Sequence, residues 1–574
     1  MSKRPNNHKP ERHIQESGAR VKDWNSVGYR VALIYPNSYY QGMSNLGFQT
    51  VYHLLNQRND CLCERFFLPD QEKDTRPHQN LRSLESERLL LDFDLIALSI
   101  SYENDYLNLP SLFRMANLPL FVADRGAGYP PVLLGGVCAF LNPEPLADIV
   151  DLVAVGEAEI ILPGLLDMLI GTPFRRETML PNLAGLPGIY VPSLYQPRYN
   201  SSGMLAETLV EEPAPKRVRR RFLADLDSSE SRSFVHAEDT AFGNMSLLEV
   251  SRGCSRGCRF CAAGYIYLPP RERSVATLLE QVACGLEARD RIGLIAASVA
   301  DHSGFEALQQ GIIDRQGGFS LASLRLDALS AEDARRLVQA GHRSVAIAPE
   351  AGSQRMRDFI NKGIEEEQIL TATGVLAEGG VRNLKLYFMI GFPGEEETDL
   401  QAIVELTEKI SAIWRETGRV RGRMGELILS VNPFIPKPFS PFQWAGMDTE
   451  VRLKKKLRFL HSRIARLANT RMNSESLRSA VLQALLARGD RRVGWLLPIL
   501  SAGGNPRQVL KKNGLNLDFY ITREREPEEL FPWEVIDQGV HRNYLHDEYR
   551  RARQGLLTPP CHPGCRRCGV CGQE

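Results

Sequence analysis

The fold of this chain is set by the stretch Glu249-Val-Ser-Arg-Gly-Cys254-Ser-Arg-Gly-Cys258-Arg-Phe-Cys261. Its three cysteines have the spacing C-x3-C-x2-C, and their thiolates can converge on one metal centre. A 4Fe–4S cube held by three cysteines keeps one iron without a protein ligand, and that iron can chelate a substrate or cofactor. A structural zinc site is the alternative, but zinc takes a fourth ligand and none follows nearby. Disulfides are disfavoured because three is an odd number of thiols.

The same stretch resembles the cluster loop of the radical S-adenosylmethionine (SAM) superfamily. Phe260 stands at the aromatic place before the third cysteine, and Gly253 and Gly257 loosen the loop. The resemblance implies a 4Fe–4S cluster whose open iron binds the amino and carboxylate groups of SAM, with Phe260 beside it. One electron from the cluster, supplied by a donor such as flavodoxin or ferredoxin, would split the sulfonium and yield a 5'-deoxyadenosyl radical. The cofactor would carry that chemistry, while the protein orients and shields it.

The composition favours no particular partner. The 574 residues predict ~3–4 domains, and Lys+Arg 70 against Asp+Glu 69 leave a net charge of +1. No run of ~18 apolar residues is present, so we expect no transmembrane helix and no membrane partner. The polar start Met-Ser-Lys-Arg-Pro is no signal peptide. Eleven cysteines without a targeting signal suit metal binding in a reducing cytoplasm.

After a polar extension, residues 1–28, the segment 29–185 alternates short apolar strands with helices. Runs such as Val31-Ala-Leu-Ile-Tyr35 and Leu95-Ile-Ala-Leu-Ser-Ile100 predict an α/β domain with a doubly wound parallel sheet. Ligands of such sheets bind beyond the carboxyl ends of the strands. The residues at those ends include Asn37, Ser99, Ser101, Gly135 and Gly136.

This half resembles the cobalamin-binding domain that precedes many radical SAM cores. The family motif is Asp-x-His-x-x-Gly, in which the His ligates cobalt, whereas this chain reads Asn37-Ser-Tyr39-Tyr-Gln-Gly42. Tyr39 stands in the place of the His, and a phenol is a poor cobalt ligand because its proton leaves only near pH ~10. Either cobalamin binds without a protein His or the domain is structural. The first alternative is favoured, since cobalamin-dependent radical enzymes often lack that His. The resemblance would then place Asn37, Tyr39, Gly42 and the strand ends named above at the cobalamin.

Residues 186–243 are predicted to form a joint. Ile189-Tyr-Val191 and Met204–Val210 can pair as a hairpin across Asn200-Ser-Ser-Gly203. The basic run Lys216–Arg221 is interpreted as a solvated linker, with contact to nucleic acid or an anchor on an acidic surface as alternatives.

Residues 244–448 repeat the strand–helix alternation and predict a partial (β/α)6 barrel, which the radical SAM resemblance also implies. In such a barrel, residues at the carboxyl ends of strands build the site. Three stretches at these ends resemble SAM-binding motifs. Glu350-Ala-Gly-Ser353 would meet polar atoms of SAM, Arg325 would pair with the methionyl carboxylate, and the turn Gly391-Phe-Pro-Gly394 would lie against the adenine. The usual Gly-Gly-Glu motif is absent, and Ala297-Ser298-Val-Ala-Asp301 stands in its place. Ser298 and Asp301 would then take over the contact with the methionyl amine.

The C-terminal region, residues 449–574, is predicted to be helical with a cysteine-rich end. Four cysteines, Cys561, Cys565, Cys568 and Cys571, lie within eleven residues and are expected to bind metal. A zinc knuckle and a second 4Fe–4S cluster both fit. Four ligands would close either centre, which favours electron transfer or folding of the tail over substrate chelation. With Pro532-Trp-Glu-Val-Ile-Asp-Gln-Gly539, the tail resembles the ending of a largely uncharacterised bacterial family of cobalamin-domain radical SAM proteins.

Three functions follow from these observations. The leading one is a radical SAM enzyme that uses cobalamin for methyl transfer to an unactivated carbon. The second is radical chemistry without cobalamin, such as sulfur insertion or rearrangement, which the Tyr39 departure keeps open. The third is an RNA-associated iron–sulfur binding protein, which the basic stretches allow. RNA, protein and small molecules all remain open as substrates.

Overall fold

The N-terminal part of the chain folds around a six-stranded sheet. A computed structural model describes residues 15–69, 80–321, 326, 329–422, 424–562 and 564–572. The strands are β1 (Tyr29–Tyr35), β2 (Cys61–Phe67), β3 (Leu95–Ser99), β4 (Val132–Gly135), β5 (Leu152–Ala154) and β6 (Ile189–Tyr190), in the order β2-β1-β3-β4-β5-β6. The first five are parallel, and β6 runs antiparallel to β5. Nearly all their residues are buried, which explains their continuous apolar runs.

The strand order reverses at β1, which lies between β2 and β3. The order 2-1-3-4-5 is one of the two common orders of doubly wound sheets, and their ligands bind at the carboxyl ends of the strands beside this switch point. In this sheet those ends belong to β1 and β3. The α-helices between the strands are Tyr39–Met43, Leu46–Gln57, Leu109–Met115, Val137–Leu141, Ala158–Leu169 and Arg176–Ala184.

The joint differs from its prediction in two ways. Ile189–Tyr190 completes the N-terminal sheet, and the hairpin instead pairs β7 (Tyr195–Tyr199) with β8 (Leu205–Val210). The apolar pattern of Ile189 and Tyr190 suits either partner, so periodicity alone could not decide. The basic run Lys216–Arg221 is partly buried and anchors this segment, so it is not a solvated linker along its whole length. Val218–Arg219 pairs with Ile536–Asp537, and Arg220 is 4% exposed and donates to the carbonyl of Leu268.

The described residues of the central part form seven parallel strands in two sheets. The first sheet has β9 (Ser246–Glu249), β10 (Arg291–Ile295) and β11 (Gly318–Leu321), and the second has β12 (Ser344–Glu350), β13 (Asn383–Ile390), β14 (Glu426–Pro433) and β15 (Thr470–Asn473). The break between the sheets follows β11, next to residues 322–325, which lie outside the described part of the chain. The α/β class is therefore confirmed, and the partial six-unit barrel stays a prediction.

Helices fill the sequence between the central strands and most of the C-terminal region. They are Ala263–Ile266, Val275–Ala288, Phe305–Asp314, Ala331–Gln339, Gln354–Phe359, Glu366–Gly379, Glu397–Val420, Glu450–Ile464, Leu477–Arg488, Arg491–Gly494, Leu497–Ser501, Pro506–Lys512, Leu517–Ile521 and Arg542–Arg553. Two further pairs of short strands join Glu16–Ser17 to His236–Ala237 and Ser251–Arg252 to Arg271–Glu272. None of the helices in the described ranges is both long and apolar enough to cross a membrane.

The C-terminal region packs against the carboxyl edge of the N-terminal sheet. The turn after β3 carries Glu103, which is 5% exposed. Its carboxylate pairs with Lys437 from the proline-rich loop after β14 and accepts a hydrogen bond from Gln483 at 2.9 Å. One buried carboxylate thus joins the N-terminal sheet, the central part and the helix Leu477–Arg488.

Candidate active site

The cysteine loop leaves β9 and returns through a short antiparallel pairing. Ser251–Arg252 pairs with Arg271–Glu272, which closes the base of the loop. Gly253 has φ +87°, and a Cβ there would lie 2.7 Å from the carbonyl oxygen of Tyr267. Only glycine fits such a backbone approach. The sharp turn at Gly253 therefore positions the three cysteines that follow.

The three thiols are half-buried. Burial raises the pKa of Cys258 to about 12, although the charge of Lys362 opposes the rise. Burial also raises the pKa values of Cys254 and Cys261. A thiolate is the metal ligand, so a bound cation must displace these protons and supply the charge that burial disfavours. These residues therefore suit a multiply charged centre better than free thiols.

Glu350, at the end of β12, lies beside the same thiols. Its carboxylate accepts a hydrogen bond from the Lys362 ammonium at 3.3 Å, and both charges act on the pKa of Cys258. Glu350 has φ +66°, a left-handed conformation that costs a non-glycine residue on the order of 1–2 kcal/mol. Such strain clusters at functional sites, because the surrounding structure must hold it in place. The geometry brings Glu350 to the cluster loop, as a SAM-contacting role requires.

Asp301 and Ser298 occupy the turn after β10. Asp301 accepts two hydrogen bonds from Arg256 of the cysteine loop, at 2.7 and 3.0 Å. This fork–fork pair fixes the loop against the strand end. Asp301 is therefore engaged with the protein itself, whereas the half-buried Ser298, which begins the turn Val299–Asp301, stays the candidate for the methionyl amine.

An aromatic contact joins the cysteine loop to the turn after β13. The rings of Phe260 and Phe392 lie 6.3 Å apart, and Phe392 packs on Phe434 at 4.9 Å. Gly391 has φ +86°, and its N–H donates to the Glu395 carboxylate at 2.8 Å. The turn also lines a cavity of about 740 Å³. Phe260 and Gly391 are thus brought together through Phe392.

Two other residues of the predicted SAM site, Ser353 and Arg325, are not placed at the cysteine loop by the described contacts. The Ser353 hydroxyl accepts from the N–H of Met356 and donates to Asp399 at 2.6 Å, so it caps the helix Gln354–Phe359. Its role in this structure is to hold the turn after Glu350. Arg325 lies outside the described residues.

Most of the predicted N-terminal ligand residues meet at one edge. The Asn37 amide donates to Asp105 at 2.8 Å, and the Asn45 amide donates to Ser101 at 3.1 Å. Ser99 pairs with Gly135 across β3 and β4. Gly136 follows with φ +88°. Asn37, Ser99, Ser101, Gly135 and Gly136 therefore line the switch-point edge, as their positions in the sequence predict.

Tyr39 and Gly42 serve other contacts. The Tyr39 hydroxyl donates to Glu16 at 2.7 Å, and burial, followed by the charge of Glu16, raises its pKa. A Cβ on Gly42 would lie 2.4 Å from the Phe67 ring, so this glycine allows close packing. No described contact directs either residue towards a ligand on the sheet edge.

A buried ion network joins the carboxyl edge of the same sheet, beyond the end of β5, to the cysteine loop. Arg252, two residues before Cys254, donates to Glu157 at 2.7 Å and to Glu159 at 2.6 Å, just after β5. Arg271 also donates to Glu157, at 2.8 and 3.0 Å. The carboxyl edge of the N-terminal sheet is therefore held against the cysteine loop.

The tail cysteines lie next to the same loop. The N–H of Cys561 donates to the carbonyl of Ser255 at 2.7 Å. Cys565 and Cys568 are buried, and Cys571 is exposed. Burial would raise the pKa of Cys565, but the Arg567 guanidinium, 3.2 Å from its sulfur, lowers it to about 7. Burial and the neighbouring thiols raise the pKa of Cys561 to about 11.

Neither group of cysteines is arranged in advance to bind a single metal ion. Within the described ranges, no three His, Cys, Asp or Glu side chains stand close enough together to hold one metal ion. Zinc needs four ligand atoms within about 2.0–2.3 Å of one point. A 4Fe–4S cube spreads its cysteines over different irons, so its ligands stand farther apart.

Two family models match this chain. The one described as the radical SAM superfamily covers residues 248–407, from β9 into the helix Glu397–Val420. The one for the N-terminal part of radical SAM proteins covers residues 47–192. The chain belongs to the radical SAM superfamily. Membership implies a 4Fe–4S cluster and SAM as cofactors, and an enzymatic activity.

Relatives of this radical SAM protein include two archaeal proteins. One is an uncharacterized protein of Methanocaldococcus jannaschii, which is 30% identical over 90% of this chain and 98% of its own length. Another is an uncharacterized methyltransferase of Pyrococcus horikoshii, which is 25% identical over 49% of this chain and 58% of its own length. A solved structure of OxsB, a cobalamin-dependent SAM radical enzyme with aqua-cobalamin bound, matches with 17% identity and a TM-score of 0.45. That match covers 66% of this chain and 52% of OxsB.

The residues of the loop fit the cofactors that membership in the radical SAM superfamily implies. Three cysteines on one glycine-shaped loop suit a cluster with one open iron. The strained carboxylate of Glu350 suits contact with a polar ligand at that iron. At the N-terminal edge the fit to cobalamin lacks a cobalt ligand, because the Tyr39 hydroxyl is bound to Glu16.

Sequence reasoning missed two charged residues of this radical SAM site. Lys362 follows the helix that begins after Ser353, and the left-handed residues Asn361 and Gly363 on either side were a turn signal. Arg252 stands in the quoted cysteine stretch and pairs locally with Glu249, but its partners Glu157 and Glu159 lie more than ninety positions earlier. A pairing at that distance leaves no trace in spacing.

Proposed function

We propose that this protein cleaves SAM reductively at a cluster held by Cys254, Cys258 and Cys261, and that it uses cobalamin to methylate an unactivated carbon. When bound, the cluster and SAM supply a 5'-deoxyadenosyl radical that abstracts a substrate hydrogen, and cobalamin supplies the methyl group. One observation carries the two-cofactor proposal. The Glu157–Arg252 ion pair holds the carboxyl edge of the N-terminal sheet against the cluster loop. Ligands of such sheets bind at this edge, so both cofactors would face one space.

The protein's own residues would bind SAM and shield the radical from water. Glu350 would accept hydrogen bonds from polar groups of SAM, and Lys362 would keep that carboxylate ionised in its buried setting. Ser298 would contact the methionyl amine, and the Arg256–Asp301 pair would fix the loop. Phe260 and Phe392 would exclude water from the radical.

At the N-terminal edge, Asn37, Ser99, Ser101, Gly135 and Gly136 would line the cobalamin site without a cobalt ligand from the protein. The doubly wound sheet and the partial barrel would then form the two walls of the space. Arg325 would complete the SAM site at the methionyl carboxylate.

The test is anaerobic reconstitution with iron and sulfide, followed by reaction with SAM and dithionite. The wild type should make 5'-deoxyadenosine, and the triple variant C254A/C258A/C261A should make none. The single variant C284S, at an exposed cysteine outside both groups, is the matched control. Equal rates in the triple variant and the wild type would contradict the core of the proposal.

A second candidate is radical chemistry without cobalamin. The observation that favours it is that Glu103, at the carboxyl edge of the N-terminal sheet, is already paired with Lys437 and Gln483. These side chains take up part of the edge at which cobalamin would bind. Loading with cobalamin followed by gel filtration separates the two. Retained cobalamin with a base-off spectrum supports the first function, and complete loss of cobalamin supports the second.

A further inference from the structure

The C-terminal tail is attached to the cluster loop by its first cysteine. The N–H of Cys561 donates to the carbonyl of Ser255 at 2.7 Å, and Ser255 directly follows Cys254. Covalent geometry then limits the distance between the Cα atoms of Cys254 and Cys561 to about 11 Å. The two cysteine groups, far apart in the sequence, are therefore neighbours in space.

A buried clamp fixes this contact. Arg259 of the cluster loop is fully buried and donates to Glu548 at 3.1 Å and to the carbonyl of Leu556 at 2.6 Å. The Asn361 amide donates to the carbonyls of Gly257 and Thr558, both at 3.1 Å. The N–H of Thr558 returns a hydrogen bond to Asn361 at 2.8 Å. The loop and the tail are thus held in one geometry before the tail cysteines begin.

The tail group has features of a redox centre. Arg567 donates to the Cys565 sulfur at 3.2 Å, and hydrogen bonds to ligand sulfurs tune the potential of iron–sulfur clusters. Four cysteines would leave no iron open for a substrate, so the group suits electron transfer. Zinc has no redox chemistry and could only fold the tail.

We propose that Cys561, Cys565, Cys568 and Cys571 hold a second 4Fe–4S cluster through which electrons enter the core cluster. This inference rests on the proposed function of the core. The four thiolates would hold a cluster that passes one electron at a time to the core, so that the electron lost by the tail cluster is the one gained by the core cluster. A protein donor of low potential, of the flavodoxin or ferredoxin class, would replace that electron.

The surface around the tail fits an acidic donor. Arg550, Arg551 and Arg567 line a hollow of about 650 Å³ beside the tail, and Arg566 and Cys571 are exposed next to it. Asp547 pairs with Arg550 and Glu548 pairs with Arg551, so the positive balance of this face is carried by Arg567 and the exposed Arg566. Complementary charge mainly accelerates the encounter and makes it sensitive to salt. An electron donor with an acidic face would therefore dock where the tail cluster is most accessible.

The first test compares the wild type with C561A/C571A, which removes the two tail ligands that are not fully buried and leaves too few cysteines for a cluster. The matched control is again C284S. Iron should fall from about eight to about four per chain in C561A/C571A, with the core-cluster signal in electron paramagnetic resonance retained. The ratio of the flavodoxin-driven to the dithionite-driven rate of SAM cleavage should fall at least ten-fold, because dithionite can reach the core directly.

The outcomes separate this inference from the function on which it rests. No 5'-deoxyadenosine from the wild type with dithionite would reject the function of the core, while the iron count would still decide the metal of the tail. Zinc in the tail, or an unchanged rate ratio in C561A/C571A, would overturn the electron relay. If C561A/C571A fails to fold, the exposed charge reversal R566E replaces it. R566E should raise the KM for flavodoxin at low salt and lose that effect at high salt. A KM equal to that of the wild type at all salt concentrations would overturn the docking of the donor at the tail.

Discussion

The Glu350 carboxylate and the Lys362 ammonium lie 3.3 Å apart beside the cluster cysteines, and each side chain is less than one-fifth exposed. Burial raises the pKa of Glu350, and the charge of Lys362 opposes that rise. Burial would lower the pKa of Lys362, but the charge of Glu350 raises it. Each charge thus favours the ionised form of its partner against the effect of burial.

The first prediction concerns K362M. Loss of the ammonium should raise the pKa of Glu350 further, so a higher pH would be needed to ionise the carboxylate that we propose to contact SAM. We expect the acidic limb of the pH–rate profile for SAM cleavage to move to higher pH and kcat/KM near neutral pH to fall about 30-fold or more. The control K385M removes an exposed lysine from β13 and should behave as the wild type. An unshifted acidic limb in K362M would mean that Glu350 is not the titrating group.

The second prediction concerns the ion network between the N-terminal sheet and the loop. E157Q removes the carboxylate that pairs with the nearly buried Arg271, whereas Arg252 keeps Glu159 and Glu249. Breaking one side of a buried pair costs about 3–5 kcal/mol of unfolding free energy. Urea denaturation of the unloaded protein measures this loss of unfolding free energy. The control is E177Q, at an exposed glutamate, for which we expect a change within about 0.5 kcal/mol.

The same network predicts a pH dependence. Burial alone would raise the pKa of Glu157, but the hydrogen bonds and charges of Arg271 and Arg252 lower it below the usual 4.5. Its stabilising contribution is therefore present above pH 4.5 and is lost as the pH falls towards the lower folded value. The stability difference between wild type and E157Q should shrink in that acidic range. A constant difference from pH 7 to pH 3 would refute this account.

The third prediction uses two neighbouring glycines at the end of β4. Gly136 has φ +88°, and a Cβ there would lie 2.4 Å from the carbonyl oxygen of Ile100, whereas a Cβ on Gly135 would meet only the carbonyl oxygen of Leu98, at 3.7 Å. G136A should lose about 2–3 kcal/mol of unfolding free energy, because its backbone conformation is essentially reserved for glycine. G135A is the matched control and should unfold within about 1 kcal/mol of the wild type. Equal losses in both variants would place the constraint elsewhere.

The sequence predicted those features that depend on local patterns. Near-continuous apolar runs predicted five buried parallel strands. Parallel strands have their carboxyl ends at one edge of the sheet, and Asn37, Ser99 and Gly135 follow or end such strands. The sequence places Ser353 at SAM, but a serine at the start of a helix is also a common N-cap. In the structure Ser353 caps the helix Gln354–Phe359. Local spacing could not separate those two roles.

Other parts of the site arise only from long-range packing. Lys362 reaches Glu350 because a strand and a turn meet in space, and no periodicity encodes that contact. The bond from Cys561 to Ser255 joins positions about three hundred residues apart. The sequence therefore predicted two cysteine groups but gave no sign that they are neighbours.

The last prediction concerns Tyr39, which stands in the place of a cobalt-ligating His. Its hydroxyl donates to Glu16 at 2.7 Å, and burial and the Glu16 charge hold its proton in place. A protonated phenol that is already hydrogen-bonded does not ligate cobalt. Protein loaded with cobalamin should therefore show a base-off spectrum, and Y39F should show the same spectrum and lose only about 1 kcal/mol of stability. Y40F, at the exposed neighbouring tyrosine, is the matched control. A change in the cobalamin spectrum in Y39F but not in Y40F would identify Tyr39 as a ligand, and a protein that retains no cobalamin would favour radical chemistry without it.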